Sequence, residues 1–172
     1  MSQREVARFE QIVLPHLDDA YTFARYLLRD EHDAQDAVQE AALRALRHVG
    51  GYRDGDARAW LLAIVRNCCL TLQHKRRDHE ARHPDDAIEM LPSRAPATDA
   101  RAIRSSDRAL LERAVAALPT EFREVIVLRE VHDLSYKEIS RVTGAPLGTV
   151  MSRLARARER LAIALRPTQE AG

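Results

Sequence analysis

Basic side chains are concentrated in one short segment near the end of the chain, APLGTVMSRLARARERL at residues 145–161. Four arginines occur there beside a single acid, Glu159. The apolar residues keep the spacing of a helix with one buried side, and they are Val150, Leu154, Ala157 and Leu161. The candidate binding groups lie on the other side or flank it, and they are Thr149, Met151, Ser152, Arg153, Ala155 and Arg156. Guanidinium and hydroxyl groups in this arrangement suit phosphates and the edges of bases.

The residues before this segment predict another helix and a tight turn. Ser135 and Glu138 have the spacing of a capping box, which predicts that a helix begins at Ser135. Gly144 can take the left-handed conformation that ends a helix, and Pro146 suits the first turn of the next one. Two helices joined in this way form a helix-turn-helix, whose second helix fits the major groove of DNA. An ordinary solvated basic helix that closes a bundle is the alternative interpretation.

An earlier helix carries acids instead. In DAQDAVQEAALRALRHV, residues 33–49, the apolar positions follow helical periodicity, while Asp33, Asp36 and Glu40 share one stripe beside Gln39. Like charges at such spacings cost a helix about a few tenths of a kcal/mol per pair. A stripe of this kind favours a surface for a basic protein partner. A solvated helix face explains the spacing equally well.

The segment YRDGDARAWLLAIVRNCCLTLQHKRR, residues 52–77, places a loop before a basic helix. Its candidate nucleic-acid contacts are Arg58, Trp60, Arg66, Asn67, Lys75, Arg76 and Arg77. A loop can receive an unstacked base while cations bind phosphates, and this combination suits single-stranded nucleic acid. For Trp60 itself, packing in the core is the favoured interpretation.

Composition and the positions of proline divide the chain. The 172 residues are 45% apolar and 31% charged, with a net charge of +1, so any polyanion site depends on where the charges lie. Helical periodicity fails between residues 79 and 106, where Pro84, Pro92 and Pro96 occur. We therefore predict an all-α fold of two small helical domains. They are an N-terminal helical bundle at residues 1–78 and a C-terminal helix-turn-helix domain at residues 107–172, joined by a flexible linker at residues 79–106.

Several classes of protein are disfavoured. No apolar run is long enough to span a membrane, and MSQREVARFEQ lacks the apolar region of a secretory signal. Because the adjacent Cys68 and Cys69 are poorly placed for a structural disulfide, we expect a cytoplasmic protein. The histidines that follow them lack the spacing of a zinc site, so we expect no metal and no cofactor. No phosphate-binding glycine loop or nucleophile elbow is present, and we expect no enzyme.

Several motifs in order, over nearly the whole chain, resemble the bacterial extracytoplasmic-function sigma factors of the sigma-70 family. DAQDAVQEAALRAL is similar to the family's D-A-x-D-x-x-Q-E helix, and AWLLAIVRN to its W-L-x-x-I-x-x-N helix. LPTEFREVIVLREVHDLSYKEIS followed by GAPLGTVMSRLARARERL is similar to its C-terminal domain. The resemblance implies a sigma factor that binds RNA polymerase core and directs transcription initiation at specific promoters. It also implies an anti-sigma factor as a partner in trans, because the tail RPTQEAG is too short to be a regulatory domain.

The resemblance also assigns roles to the candidate residues. The acidic helix would dock on the clamp helices of polymerase through Asp33, Asp36, Gln39 and Glu40. The loop from Gly51 to Ala59 and the candidates on the basic helix would open the −10 element and hold an unpaired base. The outward residues of the helix-turn-helix would read the −35 element as duplex, and the linker would pass through channels of the polymerase.

Three positions depart from the common family pattern. Ala63 replaces a residue that is often basic, Met151 stands where Lys or Arg is frequent, and Ala155 has a side chain too short to reach a base edge with a polar group. Met151 and Ala155 could instead contact the methyl groups of thymine. The −35 sequence is therefore expected to differ from the one that a basic residue would read.

Two other functions fit parts of the sequence. A stand-alone helix-turn-helix regulator would bind duplex DNA as a dimer, without polymerase. The acidic stripe and the basic helix after the loop argue against it. A helical enzyme or scaffold with a cationic surface would require polar groups that converge on a pocket, and the sequence shows no such group.

Overall fold

The computed structural model describes the backbone of residues 1–84 and 99–167, and the side chains of residues 1–84 and 105–167. Its helices are α1 (Gln3–Ile12), α2 (Leu17–Leu28), α3 (Glu31–His48), α4 (Ala57–Arg82), α5 (Asp99–Ala117), α6 (Thr120–Glu130), α7 (Tyr136–Thr143) and α8 (Leu147–Ala164). Short 3-10 turns lie at Leu14–His16 and Val49–Gly51. Within the described ranges there is no strand, and the predicted all-α class is confirmed.

Side-chain caps determine where the N-terminal helices begin. The carboxylate of Asp30 accepts a hydrogen bond from the backbone N–H of Asp33 at 2.7 Å, at the start of α3. Asp56 caps α4 in the same way, at 3.0 Å to the N–H of Arg58 and 3.2 Å to that of Ala59. Each cap satisfies donors that have no partner inside the helix. These two carboxylates determine the residues at which the acidic helix α3 and the basic helix α4 begin.

Small side chains bring the N-terminal helices close together. The face of α3 that packs against α2 and α4 is made of buried alanines, Ala34, Ala37, Ala41 and Ala45. Larger side chains from the neighbouring helices fill the space beside them, among them Phe23, Leu27 and Leu62. Close packing of this kind holds α3 and α4 side by side and leaves the acidic stripe on the outer surface.

Helix α6 is central to the C-terminal half. Every residue from Phe122 to Leu128 is buried, because α7 and α8 cover one side of the helix and α2 packs against another. The buried side chains of the two halves consequently form one continuous cluster. The sequence predicts two separate, modest cores. Hydrophobic periodicity within each half does not indicate that the two halves pack against each other.

The proposed domain boundaries remain a prediction. Helix α4 continues to Arg82 and α5 begins at Asp99, so helical structure enters the segment 79–106 from both ends. Residues 85–98, which include Pro92 and Pro96, lie outside the described residues. Within the described residues, no helix combines the length and the apolar character that crossing a membrane requires.

Candidate nucleic-acid interface

The helix-turn-helix has the local geometry that the sequence predicts. The hydroxyl of Ser135 accepts a hydrogen bond from the N–H of Glu138 at 3.1 Å, and the Glu138 carboxylate accepts one from the N–H of Ser135. Gly144 has a φ of 73°, the left-handed conformation that ends α7. Pro146 lies one position earlier than expected, as the residue that precedes the first turn of α8. The predicted capping box and glycine stop are confirmed.

Hydroxyl groups brace the turn between the two helices. Ser140 donates to the carbonyl of Ala145 at 2.6 Å, and Thr143 donates to the carbonyl of Ile139 at 2.8 Å. The Thr143 oxygen also accepts from the N–H of Ala145. These bonds satisfy polar groups that the turn would otherwise bury. These hydrogen bonds help to hold the angle at which α8 leaves α7.

The outward face of α8 carries the predicted set. Val150, Leu154 and Ala157 are buried as expected, and Leu161 is partly buried. The side chains of Met151, Ser152, Ala155 and Arg156 are exposed, with Met151 at 47%. Thr149 and Arg153 are half-buried at the edges of this face.

Two of these side chains already have partners. Ser152 donates to the carbonyl of Thr149 at 3.0 Å. Arg153 lies 3.9 Å from the carboxylate of Glu121 on α6. The remaining exposed groups, Met151, Ala155 and Arg156, form a short convex strip that can enter a groove without rearrangement of the helix.

The loop before α4 is folded onto the helix. The ring of Tyr52 packs against that of Trp60, with centroids 5.0 Å apart and an interplanar angle of 50°. The Tyr52 hydroxyl donates to the carbonyl of Gly55 at 2.6 Å. Arg8 of α1 donates to the carbonyl of Tyr52. Trp60 is half-buried and also contacts the core, so the aromatic pair forms one wall of the loop instead of projecting into solvent.

The predicted cations of α4 do not share one face. Arg66 binds Glu124 of α6, and Arg76 lies on the other side against Asp33 of α3 at 2.5 Å. Asn67, Lys75 and Arg77 are exposed, and Arg77 lies at the edge of a cleft beside α6. Because α4 rotates by about 100° per residue, a run of adjacent cations spreads around the helix. The structure therefore separates the basic set into groups with different neighbours.

The acidic stripe of α3 is divided in a similar way. Asp36 and Gln39 are exposed, and Glu40 is half-buried. The Glu40 carboxylate accepts a hydrogen bond from Arg44 at 2.8 Å, and this bond holds the pKa of Glu40 below its usual value. Asp33 has a side chain only 15% exposed, and burial raises its pKa while Arg76 opposes the rise. Asp33 thus joins α3 to α4 and is less accessible than its neighbours.

One exposed apolar residue on this helix is absent from our candidate set. Leu43 is 45% exposed and follows Asp36 by seven residues, which places it on the same side of α3. The signal was present in the sequence as helical spacing. Because an apolar residue at such a position usually belongs to the core, hydropathy alone does not indicate that Leu43 is exposed.

The two thiols lie in the interior of the N-terminal half. Cys68 and Cys69 are free and buried. Burial raises the pKa of both thiols, and that of Cys69 reaches about 12. Within the described residues, no group of three His, Cys, Asp or Glu side chains could hold a metal ion.

Comparison with known proteins decides the family. The Sigma-70 region 2 family matches residues 12–79, and the Sigma-70 region 4 family matches residues 108–161. The ECF RNA polymerase sigma factor SigM of Mycobacterium tuberculosis is 34% identical over 155 residues, which cover 90% of this chain and 75% of that protein. The chain belongs to the extracytoplasmic-function sigma factors. The resemblance of the sequence motifs to this family is therefore confirmed.

Other relatives support the same family. SigE of Mycolicibacterium smegmatis, named as an ECF RNA polymerase sigma factor, is 34% identical over 160 residues. This match covers 92% of the sigma factor chain described here and 62% of the relative's length. Among solved structures, the sigma factor RpoE from Bartonella quintana, crystallised with the anti-sigma factor NepR, is 27% identical. The TM-score is 0.74, and the match covers 91% of this chain and 96% of that one.

Proposed function

We propose that this sigma factor binds RNA polymerase core through α3, opens the −10 element with α4 and the loop before it, and reads the −35 element as duplex with α8. The observation that carries the proposal is the pair of separate surfaces on one fold. An acidic outer face occupies α3, and the convex strip of Met151, Ala155 and Arg156 occupies the second helix of the helix-turn-helix. The chain would supply recognition and strand opening, and the polymerase would carry out the chemistry. It would accordingly act in the cytoplasm and would not be an enzyme.

The proposed polymerase-docking face consists of Asp36, Gln39 and Glu40, with the exposed Leu43 at its C-terminal end. An exposed leucine among carboxylates gives a docking surface an apolar anchor within a polar rim. Asp33 would contribute less direct contact than the sequence suggests, because its carboxylate is largely covered and lies against Arg76. The partner surface would be basic and helical, in keeping with the clamp helices that the family resemblance implies.

The −10 contacts would combine the loop wall with the cations of α4. Tyr52 and Trp60 form an aromatic edge on which an unpaired base could stack. Asn67 and Lys75 are accessible as the structure stands, whereas Arg66 must first leave Glu124. Arg58 is half-buried and 4.0 Å from Asp19, and its role would be to orient the start of α4 near the loop.

The −35 contacts would come from the exposed strip of α8. Arg156 can contact a base edge or a phosphate, and Met151 and Ala155 present apolar atoms suited to thymine methyl groups. Replacing Met151 by Arg should shift the preferred −35 sequence towards guanine. An unchanged preference would show that Met151 does not face a base.

An anti-sigma factor is the proposed partner in trans. The support is the solved complex of the similar RpoE with NepR, together with a second similar structure, CnrH with the cytosolic domain of CnrY, at a TM-score of 0.65. No duplex-binding dimer is needed to explain any surface described above. The stand-alone regulator is not supported by these comparisons.

The direct experiment is transcription by purified core polymerase on a library of random upstream DNA, with and without this protein. New start sites downstream of a shared two-part motif are expected only when it is present. The double variant Asp36→Gln with Glu40→Gln should lose binding to core and initiation together. Glu31→Gln removes a carboxylate from another side of α3 and should retain both. Equal losses in the two variants would place the docking surface elsewhere.

A further inference from the structure

One cleft of about 600 Å³, lined by residues of α4, α6 and α8, is rich in positive charge. Four arginines line it, and they are Arg66, Arg77, Arg123 and Arg153. Among the described residues of its walls, the carboxylates are those of Glu121 and Glu124. These walls therefore carry a surplus of two positive charges when His74 is neutral. A concave space of this size is typical of sites for small ligands, and its charge favours an anion.

Arg123 is a buried cation whose partners among the described residues are all neutral. The residue is 8% exposed, and its guanidinium donates at 3.1, 2.9 and 2.8 Å to the carbonyls of Leu27, Ala116 and Leu118. Its buried Nε has no hydrogen-bond partner among the described residues. Burial lowers the pKa of Arg123, and the nearby Arg29 lowers it further. Because a buried charge is costly unless an opposite charge balances it, an anion in the cleft would stabilise this arginine.

The first turn of α6 adds backbone donors to the same cleft. Pro119, Thr120 and Glu121 all line it, and Pro119 supplies no side-chain cap to the helix. The N–H groups of Thr120 and Glu121 have no acceptor among the described residues. Free amides at the start of a helix, together with the helix dipole, bind phosphate groups. The buried charge of Arg123 and these amides are separate features of one cleft, and both favour an anion there.

Two of the four arginines are available for direct contact with an anion. Arg77 is exposed and forms no ion pair with another described residue. The side chain of Arg153 is 28% exposed and lies 3.9 Å from the carboxylate of Glu121, which is 63% exposed. Long, exposed ion pairs contribute little to stability, so Arg153 can exchange Glu121 for a phosphate oxygen. Arg66 is already bound to Glu124 and would act only through its charge.

We propose that this cleft binds a diphosphate group, either as free pyrophosphate or as part of a nucleotide. Its oxygens would be bound by the amides that begin α6 and by Arg77 and Arg153, and its charge would balance that of Arg123. A single DNA strand is the other polyanion that could enter the cleft. Sites for single strands use aromatic side chains on which bases stack, and the described walls contain no Phe, Tyr or Trp. The diphosphate site goes beyond the proposed function and requires neither polymerase nor promoter.

The test titrates the full chain with inorganic pyrophosphate by isothermal titration calorimetry, near neutral pH and without divalent cations. Arg77→Gln and Arg153→Gln each remove one positive charge from the cleft. Each should weaken binding by about tenfold, because a hydrogen bond between charged groups contributes about that factor. The matched control is Arg82→Gln, which removes the same charge from the exposed last turn of α4. It should bind with nearly the wild-type affinity, because Arg82 does not line the cleft.

Backbone amide NMR locates the ligand on the wild-type chain without any substitution. The amide resonances of Thr120 and Glu121 should shift as pyrophosphate is added. The amides of Arg58 and Ala59 also begin a helix but are bound to Asp56, so their resonances should stay in place. A parallel titration with ADP separates the two sources of diphosphate. Tighter binding of ADP than of pyrophosphate identifies a nucleotide, and equal or weaker binding identifies the phosphate groups alone.

Saturable one-to-one binding of pyrophosphate that both cleft variants weaken, and that the control retains, supports the site. Absence of binding, equal affinity for sulfate, or equal losses in the cleft variants and the control would overturn it. If pyrophosphate does not bind but a single-stranded oligonucleotide does, and the cleft variants weaken that binding, the cleft belongs to DNA and the proposal fails. Since none of these measurements uses polymerase, failure of the diphosphate site leaves the proposed function standing.

Discussion

Replacing either of two glycines in the helix-turn-helix by alanine should change the stability of the fold, in opposite directions at the two positions. Gly144 ends α7 with a φ of 73°, a conformation that L side chains rarely adopt. Gly148 lies in the first turn of α8 and has no unusual φ. A Cβ added at either position would meet no atom within 4 Å. Replacement by alanine therefore isolates backbone conformation from steric contact.

The magnitudes follow from the backbone alone. Gly144→Ala must place an alanine in the left-handed region, which costs about 1–2 kcal/mol. Gly148→Ala reduces the conformational freedom of the unfolded chain at a helical position, and should stabilise by about 0.5 kcal/mol. For a chain of this size, 1 kcal/mol corresponds to a change in Tm of about 2–4 °C. Urea unfolding followed by circular dichroism should resolve the two signs.

DNA binding should separate the variants further. If Gly148 lets the DNA backbone approach the start of α8, a methyl group there weakens binding to −35 duplex even though the fold is more stable. Gly144→Ala should weaken binding only in proportion to the unfolded fraction. A Gly148 variant that is less stable than wild type, or one that binds the duplex unchanged, would refute the corresponding part of this reasoning.

Three further outcomes are expected. Ser135→Ala removes the capping box of α7 and should lower the free energy of unfolding by about 1 kcal/mol. Ser2→Ala should cost less in urea unfolding, because no side chain of α1 is fully buried. Iodoacetamide should label Cys69 slowly at pH 8 and rapidly in urea, since burial raises the thiol's pKa to about 12; fast labelling of the folded chain would contradict this. Burial lowers the pKa of His132, and Asp19 opposes the shift. The unfolded chain therefore binds the proton more readily, so the free energy of unfolding should fall as the pH drops below 6.5, by at most about 1.4 kcal/mol per pH unit. His132→Gln should reduce this pH dependence. An identical pH profile in the variant would exclude the histidine as the cause.

Local structure was largely predictable because its determinants are local. The capping box at Ser135, the left-handed Gly144 and the buried stripe of α8 each depend on residues within about four positions of one another. The acidic stripe of α3 was visible for the same reason. Helical spacing also places Leu43 on the side of this stripe, although its hydropathy alone favours a position in the core.

The relation between the two halves was not predictable from the same patterns. Glu124 and Arg66 are 58 positions apart, and nothing in the periodicity of either helix indicates that they meet. The basic residues of α4 looked like one surface in the sequence. Successive side chains of an α-helix point in different directions, so these residues have different neighbours. Arg66 and Arg76 therefore pair with separate acids, Glu124 and Asp33.

The proposed contact residues differ in accessibility. On α3, Asp36, Gln39 and Leu43 are exposed, so the proposed docking face could meet polymerase without a change in the fold. Arg66 is bound to Glu124, so its proposed contact with the −10 strand requires that this ion pair first break.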